Sequence, residues 1–394
     1  MLIDARRVGS GIAMLLGLSL PASAATFQGL GAPVGGNSRA FALSEDGSVV
    51  TGAWFSEGQD RAFIWDRVNG LNLLPTEPSL PGLDWATAVS AGGEVVVGQG
   101  GDIALRWSAD FGKEVLGQLP SDPNSIFPMT SFADDVSRDG SVVVGASSSG
   151  QGIEAFRWVA FEGLTGLGDL VGGDLASYAR AVSSDGAVVV GSGENDLGQA
   201  AVRWVNGSAP VLLAGPSDPF ALVSAYDVTP DGTVIVGGDS NSPLFIDVSN
   251  VGPFRWTESG GAQALGSLTS PLNGYELTSG YAVGVSDDGD TIIGAVFPDS
   301  DPGGATPFVW SATHGMRSLR DALIDAGLAD DIDGWDLVSA ARVYGVSADG
   351  LTFAGSARNP SGQIEAWVAT IPEPGGFLSV AVILGCSFVV RRKA

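Results

Sequence analysis

The sequence predicts an all-β protein, a seven-bladed β-propeller with four short strands in each blade. Three observations support this fold class. A strand–turn–strand segment recurs seven times, each copy is followed by a tryptophan, and a strand that the last copy lacks stands at the start of the chain. One short helix, near 317–328, is the expected exception.

The recurring segment has the form Val-Ser-x-Asp-Gly-x-Val-Val-Val-Gly. Its copies lie at 42–52, 88–98, 135–145, 181–191, 227–237, 284–294 and 345–355, and their turn glycines are 46 to 61 residues apart. Asp-Gly between two apolar runs is a strong hairpin signal, because glycine accepts a positive φ and aspartate bonds its own turn. Units of this length that hold several short strands are typical of propeller blades.

The remaining strands of each unit follow from the apolar residues. Three valines in succession indicate a strand that is covered on both faces. The tryptophans supply large apolar surfaces for packing between neighbouring sheets, at Trp65, Trp107, Trp158, Trp204, Trp256, Trp310 and Trp367. An arginine precedes four of them, at Arg106, Arg157, Arg203 and Arg255, and we expect each guanidinium to stack or pair within its blade rather than to form an anion-binding ring.

The two ends of the repeat region indicate how the ring closes. A Leu-Gly-x-Leu element follows several tryptophans, at 116–119, 167–170 and 265–268, whereas the seventh unit runs straight into Pro372. The similar stretch 26–31 stands before the first repeat, so we expect the strand around Phe27–Leu30 to complete the last blade. In the helix, Leu319, Leu323 and Ala326 share one face and Gly327 ends it.

The first 24 residues have the features of a secretory signal peptide. Arg6 and Arg7 precede an apolar stretch at 12–20, and Ala22-Ser23-Ala24 has the small-x-small form of a signal-peptidase site. An uncleaved anchor is the alternative interpretation. The mature domain is then expected to begin at residue 25 and to extend to 371.

Residues 372–394 form a second signal. Pro372-Glu373-Pro374 precedes the uncharged hydrophobic segment 375–390, and Arg391, Arg392 and Lys393 end the chain. Sixteen apolar residues are marginal for a membrane span, which needs about 20. The basic end would hold the C-terminus on the cytoplasmic side. Cys386 is the only cysteine and lies in this segment, so the exported domain forms no disulfide.

Charge restricts the partners of the exported domain. The whole chain carries 44 acidic and 19 basic side chains, a net charge of −25. Removing residues 1–24 and a tail that begins at Gly375 leaves 43 acidic and 14 basic residues, because these segments hold one acid and five bases. Such a surface repels nucleic acid and anionic lipid, so we expect contact with a membrane only through the C-terminal segment before processing.

The C-terminal pattern resembles the PEP-CTERM sorting signal, with its Pro-Glu-Pro motif, short hydrophobic helix and basic end. The resemblance implies transient anchoring in the inner membrane, processing by an exosortase and passage to the cell surface or extracellular matrix of a Gram-negative-type bacterium. Signal peptidase and exosortase are therefore the partners expected during export. An ordinary tail anchor is the alternative. The name ice-binding C-terminus is sometimes attached to such a tail. The repeats, however, show no flat threonine-rich face of the kind that ice binding would need.

Between residues 27 and 370 the repeats resemble the HAF repeats of extracellular bacterial proteins, in the Ala-Val-Ser-x-Asp-Gly, Ala-Phe-Arg-Trp and Leu-Gly-x-Leu elements. Many HAF copies carry a histidine before Ala-Phe, whereas this chain has Arg61, Glu154 or Ala200 there. The resemblance implies fold and location more than an activity.

Catalytic residues are not evident. His314 is the only histidine, which excludes Ser-His-Asp, Cys-His and multi-histidine metal sites. The turn aspartates recur in six repeats, so we assign them to turn structure, and no carboxylate pair stands apart from the repeat. Calcium is the one cofactor left open, with Asp299 and Asp301 as candidate ligands because alternate carboxylates can converge on one ion.

We therefore expect no enzyme but an interaction module that binds a matrix polysaccharide or a surface protein. The alternative is a propeller enzyme that acts on extracellular glycan through carboxylates. The insertions at 239–253 and 296–306 interrupt the blade periodicity, and we expect them to be exposed loops that contribute to recognition.

Overall fold

A computed structural model describes the chain at 24–33, 36–56, 59–76, 81–120, 129–214, 223–239, 252–269, 274, 276–297 and 305–372. Within these ranges the protein is all-β apart from one short helix. Both ends of the chain, including the hydrophobic segment 375–390, lie outside the described residues. No helix in the described ranges is long and apolar enough to cross a membrane.

Between residues 24 and 214 the described part of the chain contains 17 strands. They are β1 (Thr26–Gly29), β2 (Asn37–Leu43), β3 (Val49–Ser56), β4 (Gln59–Asp66), β5 (Gly70–Leu73), β6 (Trp85–Val89), β7 (Val95–Gly100), β8 (Ile103–Ser108), β9 (Gly112–Gly117), β10 (Ser131–Val136), β11 (Val142–Ser148), β12 (Ile153–Val159), β13 (Gly163–Gly166), β14 (Tyr178–Val182), β15 (Val188–Asn195), β16 (Gly198–Val205) and β17 (Val211–Ala214).

The second half contains the remaining elements. They are β18 (Val223–Val228), β19 (Val234–Asp239), β20 (Phe254–Thr257), β21 (Gly261–Ala264), β22 (Leu268–Thr269), β23 (Glu276–Leu277), β24 (Ser279–Val285), β25 (Ile292–Phe297), β26 (Thr306–Ser311), β27 (Gly315–Ser318), α1 (Leu319–Asp325), β28 (Arg342–Val346), β29 (Thr352–Arg358) and β30 (Ile364–Thr370).

Apart from the short separate pair β22–β23, the strands form antiparallel groups of four. Four groups are simple meanders, β2–β5, β6–β9, β10–β13 and β14–β17. β18–β21 and β24–β27 join into one eight-stranded sheet through the single pair Gly238 and Tyr281. The last group has the order β1-β30-β29-β28, in which Phe27 faces Ala369. The prediction that the strand around Phe27–Leu30 completes the last repeat is therefore confirmed.

The turn, the valine strand and the tryptophan strand follow one another in the same order in every repeat. The turn between the first and second strands contains the Asp-Gly pair in six repeats and Gly92-Gly93 in the second. All seven turn glycines have φ between 70° and 86°, a region that side chains with a Cβ rarely enter. The second strand carries the valines, of which Val143 and Val144 are fully buried. The third strand carries the tryptophan, so the predicted order of elements is confirmed.

The core lies between neighbouring sheets rather than within one sheet. Trp158, for example, packs in a cluster that also includes Val97 of the preceding group. Five of the seven repeat tryptophans are buried, and Trp107 and Trp310 are half-buried. The short helix packs on the last group, with Leu319 and Leu323 fully buried in the same cluster as Trp367.

The expectation that each repeat arginine stacks or pairs within its own blade holds for Arg106, which pairs with Glu114 of β9 at 3.4 Å, but the repeat arginines also contact the next sheet. The Arg106 guanidinium lies 5.8 Å from the ring of Trp158, and that of Arg203 lies 4.6 Å from the ring of Trp256. Arg157 donates from Nε to the Gly186 carbonyl at 3.2 Å. A flat, permanently charged side chain thus spans the gap to the next turn or tryptophan.

The helix follows its sequence signals closely. Ser318 is the N-cap, and its Oγ accepts a hydrogen bond from the Asp321 amide at 3.1 Å. Gly327 follows the C-cap with φ of 90°. The predicted helix was longer than the seven residues observed, because residues 316–318 form part of β27 instead.

Candidate functional site

The first strands of all seven groups line one central cavity of about 560 Å³. These strands are β2, β6, β10, β14, β18, β24 and β28. A volume of this size lies within the range of about 300–1,000 Å³ that is usual for small-ligand sites.

Each of these first strands carries a β-bulge at the same repeat position. The register shifts by one residue in every pairing between a first and a second strand. A bulge leaves one residue out of the ladder and redirects its side chain. The seven residues at this position all line the cavity, and they are Phe41, Thr87, Asp134, Arg180, Tyr226, Val283 and Tyr344.

One wall of the cavity is charged. Asp134 of β10 and Arg180 of β14 form an ion pair of 3.3 Å between Oδ1 and Nη1. Their side chains are 23% and 36% exposed, so both remain accessible from the cavity. The Arg180 guanidinium also lies 5.3 Å from the ring of Tyr178. The pair therefore offers a donor and an acceptor side by side, held in place by a neighbouring ring.

Two further carboxylates connect this wall to the next sheets. Asp135 accepts a hydrogen bond from the Val182 amide at 2.8 Å, and Asp227 accepts one from the Val285 amide at 2.8 Å. In five other repeats the same position holds alanine or glycine, which have no acceptor. Asp135 and Asp227 both line the cavity.

Burial perturbs these acids. It raises the pKa of Asp135 to about 8, with the negative charge of Asp227 adding to the shift. Burial likewise raises the pKa of Asp227 to about 7, with Glu45 and Asp287 adding to it and backbone donors opposing it. The pKa of Asp134 is also raised by burial, while Arg180 opposes the shift. Near neutral pH, Asp135 and Asp227 can therefore exist as neutral acids and donate a proton.

The opposite wall is mainly aromatic. Phe41 and Tyr344 meet edge to face, with ring centroids 5.9 Å apart. Tyr226 and Tyr281 lie 5.5 Å apart. Burial raises the pKa of Tyr281 to about 12, so its hydroxyl stays protonated across the physiological range. This wall combines apolar ring faces with phenolic hydroxyls, a combination common in binding sites.

At the end that bears the Asp-Gly turns, an ion cluster spans non-adjacent repeats. Arg138 of the third repeat contacts Glu45 of the first at 2.9 Å and Asp287 of the sixth at 3.6 Å. Backbone hydrogen bonds also join several turns, such as Ala348 to Glu45 at 2.7 Å. Burial raises the pKa of Glu45, and Arg138 opposes that shift.

The turn aspartates act as predicted. Asp139 Oδ1, for example, accepts hydrogen bonds from the Ser141 amide and hydroxyl and from the Ser137 hydroxyl, at 2.7 to 2.9 Å. These donors hold the pKa of Asp139 below its usual range. His314 lies in an exposed turn, where Nδ1 is 2.9 Å from the Thr313 hydroxyl.

The other predicted sites lie largely outside the described residues. These are the signal-cleavage residue Ala22, the sorting residues Glu373, Pro374, Arg391, Arg392 and Lys393, and the candidate calcium ligands Asp299 and Asp301. Most of the insertions at 239–253 and 296–306 also lies there. Within the described ranges, no group of three or more His, Cys, Asp or Glu side chains is placed to hold a metal ion.

The statement that no carboxylate pair stands apart from the repeat is wrong. Asp134 and Asp135 are adjacent in the third repeat, Asp227 matches Asp135 in the fifth, and neither position is acidic in any other repeat. Aligning the seven copies would have shown these departures. The sequence could not show that a β-bulge directs the position of Asp134 towards a cavity that all seven first strands line.

Comparisons with known proteins bear on the fold. The sequence matches no protein-family profile and no curated protein. The structure is similar to an oligogalacturonate lyase from Vibrio parahaemolyticus, with 11% identity, 89% of this chain and 98% of that chain covered, and a TM-score of 0.55. It is also similar to an oligogalacturonate lyase in complex with manganese, with 13% identity, coverage of 89% and 97%, and a TM-score of 0.53. At such identities the likeness shows the fold alone, and the chain has an all-β, propeller-like fold.

Proposed function

We propose that the protein is an exported seven-bladed β-propeller that serves as a non-catalytic binding module at the cell surface or in the extracellular matrix. Its ligand is a matrix polysaccharide or a surface protein. The observation that carries the proposal is the central cavity, because the position that lines it in all seven repeats differs in side-chain chemistry from one repeat to the next.

The seven-bladed ring is supported by the strand order. There is one four-stranded group for each of the seven repeats, and β1 supplies the outer strand of the last group. Pairing of the first and last strands in one sheet is how a propeller closes without leaving a free edge. One cavity lined by every first strand agrees with such a ring.

Export is supported by the two end signals and the charge. The expected secretory signal at 1–24 and the PEP-CTERM-like segment at 372–394 support a location of the acidic domain outside the inner membrane after processing. An acidic surface favours solubility there and limits unspecific adhesion to anionic lipid. The hydrophobic segment 375–390 then acts only during sorting.

The test is binding to surface material. The protein, purified in its exported form, should bind isolated matrix or washed cells saturably, and the size distribution of the matrix polymers should stay unchanged after incubation. Failure to bind either material would contradict the proposed function.

A second candidate function, a glycan-active enzyme, is favoured by one observation. Asp135 and Asp227 face the cavity with pKa values of about 8 and about 7, which suits general acid or base catalysis near neutral pH. Both acids also bond backbone amides of the next sheet, and this structural task explains their burial. The enzyme would be established instead if the protein shortened the polymers and if Asp135→Asn or Asp227→Asn abolished this activity without unfolding the protein.

A further inference from the structure

We infer that the central cavity is a blind pocket for the terminal sugar of an uncharged saccharide, entered from the end opposite the Asp-Gly turns. This inference rests on the proposed binding function and names its ligand class. It follows from how the cavity is closed, what lines it and how its charges are paired.

The turn end of the cavity is closed. Arg138 connects the third repeat to the first and the sixth through Glu45 and Asp287, so its side chain reaches across the ring. Neighbouring turns are joined by backbone bonds, including Asp287 to the Ala348 carbonyl at 3.0 Å. These contacts obstruct the passage of a polymer through the turn end, and we therefore place the entry of a chain end at the opposite side.

The two walls match the two kinds of surface on a sugar ring. Sugar hydroxyls both donate and accept, and the pair of Asp134 and Arg180 presents an acceptor beside a donor. The C–H face of a sugar ring is apolar and can pack on the rings of Phe41 and Tyr344 across the cavity.

The charges select against ionic sugars. Near neutral pH Asp135 and Asp227 can be neutral acids and Asp134 is paired with Arg180, so a uronate or a sulfate would find no unpaired positive charge in the lining. An ammonium would find no unpaired carboxylate. Asp134 is paired with Arg180, while Asp135 and Asp227 already accept backbone hydrogen bonds. An uncharged ligand displaces none of these partners.

The first experiment screens the exported form against an array of neutral and acidic glycans, followed by calorimetric titration of the neutral hits. A neutral oligosaccharide should bind, and its acidic counterpart should bind at least tenfold more weakly. As the oligosaccharide is lengthened from about 4 to about 20 sugars, the number of protein molecules bound per chain should stay at one. A preference for acidic glycans, or a stoichiometry that grows with chain length, would overturn the inference.

The second experiment locates the site. Asp134→Ala should weaken binding of the neutral hit at least tenfold, because it removes the acceptor beside Arg180. Glu258→Ala is the matched control, since Glu258 forms the same kind of pair with Arg203 at a turn away from the cavity. It should leave affinity within twofold of wild type. Equal effects of the two substitutions, with both variants folded by circular dichroism, would overturn the assignment.

Different results would contradict the proposed binding function and the proposed sugar pocket. If the protein binds surface material but no saccharide on the array, the sugar pocket is wrong and the binding module stands. Arg138→Ala tests the direction of entry. It should leave affinity unchanged if the ligand enters from the other end, and a tenfold or greater loss with the protein still folded would show that the turn end holds the ligand.

Discussion

The role of the repeat tryptophans is open to a direct stability test by Trp158→Ala. Trp158 lies on β12 with 4% of its surface exposed, and it packs between the second and third groups with Val97 and Leu116. The Arg106 guanidinium of the preceding group lies 5.8 Å from its ring. The substitution therefore removes apolar contacts from two sheets and a partner of one cation.

The expected cost follows from these contacts. Truncation of a buried aromatic residue to alanine typically costs about 3–5 kcal/mol, and loss of a half-exposed cation–π contact adds roughly 0.5–1 kcal/mol. Unfolding entropy of about 2.1 cal/mol/K per residue gives about 0.7 kcal/mol/K for residues 25–371. A loss of about 4 kcal/mol thus lowers Tm by roughly 5–6 °C if the ring unfolds cooperatively.

The assay is calorimetric or circular-dichroism melting of the exported form, with Trp85→Ala as the control. Trp85 is 41% exposed at the start of a first strand, so its removal should lower Tm by less than about 2 °C. A destabilisation by Trp158→Ala of less than about 1 kcal/mol, or one equal to that of Trp85→Ala, would refute the view that the repeat tryptophans hold adjacent sheets together.

Three further predictions concern protonation and sorting. Because folding raises the pKa of Asp135 to about 8 from an unfolded value near 3.9, its contribution to stability is fully present below about pH 4 and is lost as pH rises to about 8. Asp135→Asn should therefore flatten the decline in unfolding free energy over this window in urea titrations, and an unchanged slope would contradict it. Folding lowers the pKa of Asp139, so Asp139→Ala should cost about 1 kcal/mol at pH 7, and the cost should shrink as pH falls below about 4; a cost that grows in acid would count against the turn bonds. Mass spectrometry of surface material should find C-terminal peptides that end near Glu373 and none from 377–392, whereas an intact tail in that fraction would indicate a permanent anchor.

Much of the scaffold was predictable because each of its elements is set by local chemistry that the repeats share. An Asp-Gly pair such as Asp139-Gly140 specifies a hairpin in each repeat that contains it, and the valines after the pair specify a strand covered on both faces. The displaced strand around Phe27 could be predicted by counting, since the seventh unit lacks an element that the others have. The contacts of the arginines were less predictable, because Arg106 reaches the next sheet and the sequence does not state which neighbour lies beside it.

The cavity was not predictable from periodicity because it depends on a break in the strand register. Period-two alternation assigns each residue of a first strand to one face or the other, and the bulge between Ala133 and Asp135 shifts that assignment within the strand. Asp134 is thereby released from the ladder and lines the ring interior instead of an inter-sheet face. Only the folded ring brings it beside Arg180, which lies 46 residues further along the chain.

The bulge also explains why this position is free to differ among repeats. Alanine at 133 and 179 is fully or almost fully buried against neighbouring strands, so a larger side chain there would collide with the next sheet. Asp134 and Arg180, one residue later, do not pair in the ladder and line the cavity, where side chains of different size do not collide with the next sheet. A ring of equivalent repeats can acquire a specific ligand only where the repeats stop being equivalent. In this chain the position released by the bulge differs among repeats and lines the cavity in all of them, which is why we place binding there rather than on the regular outer strands.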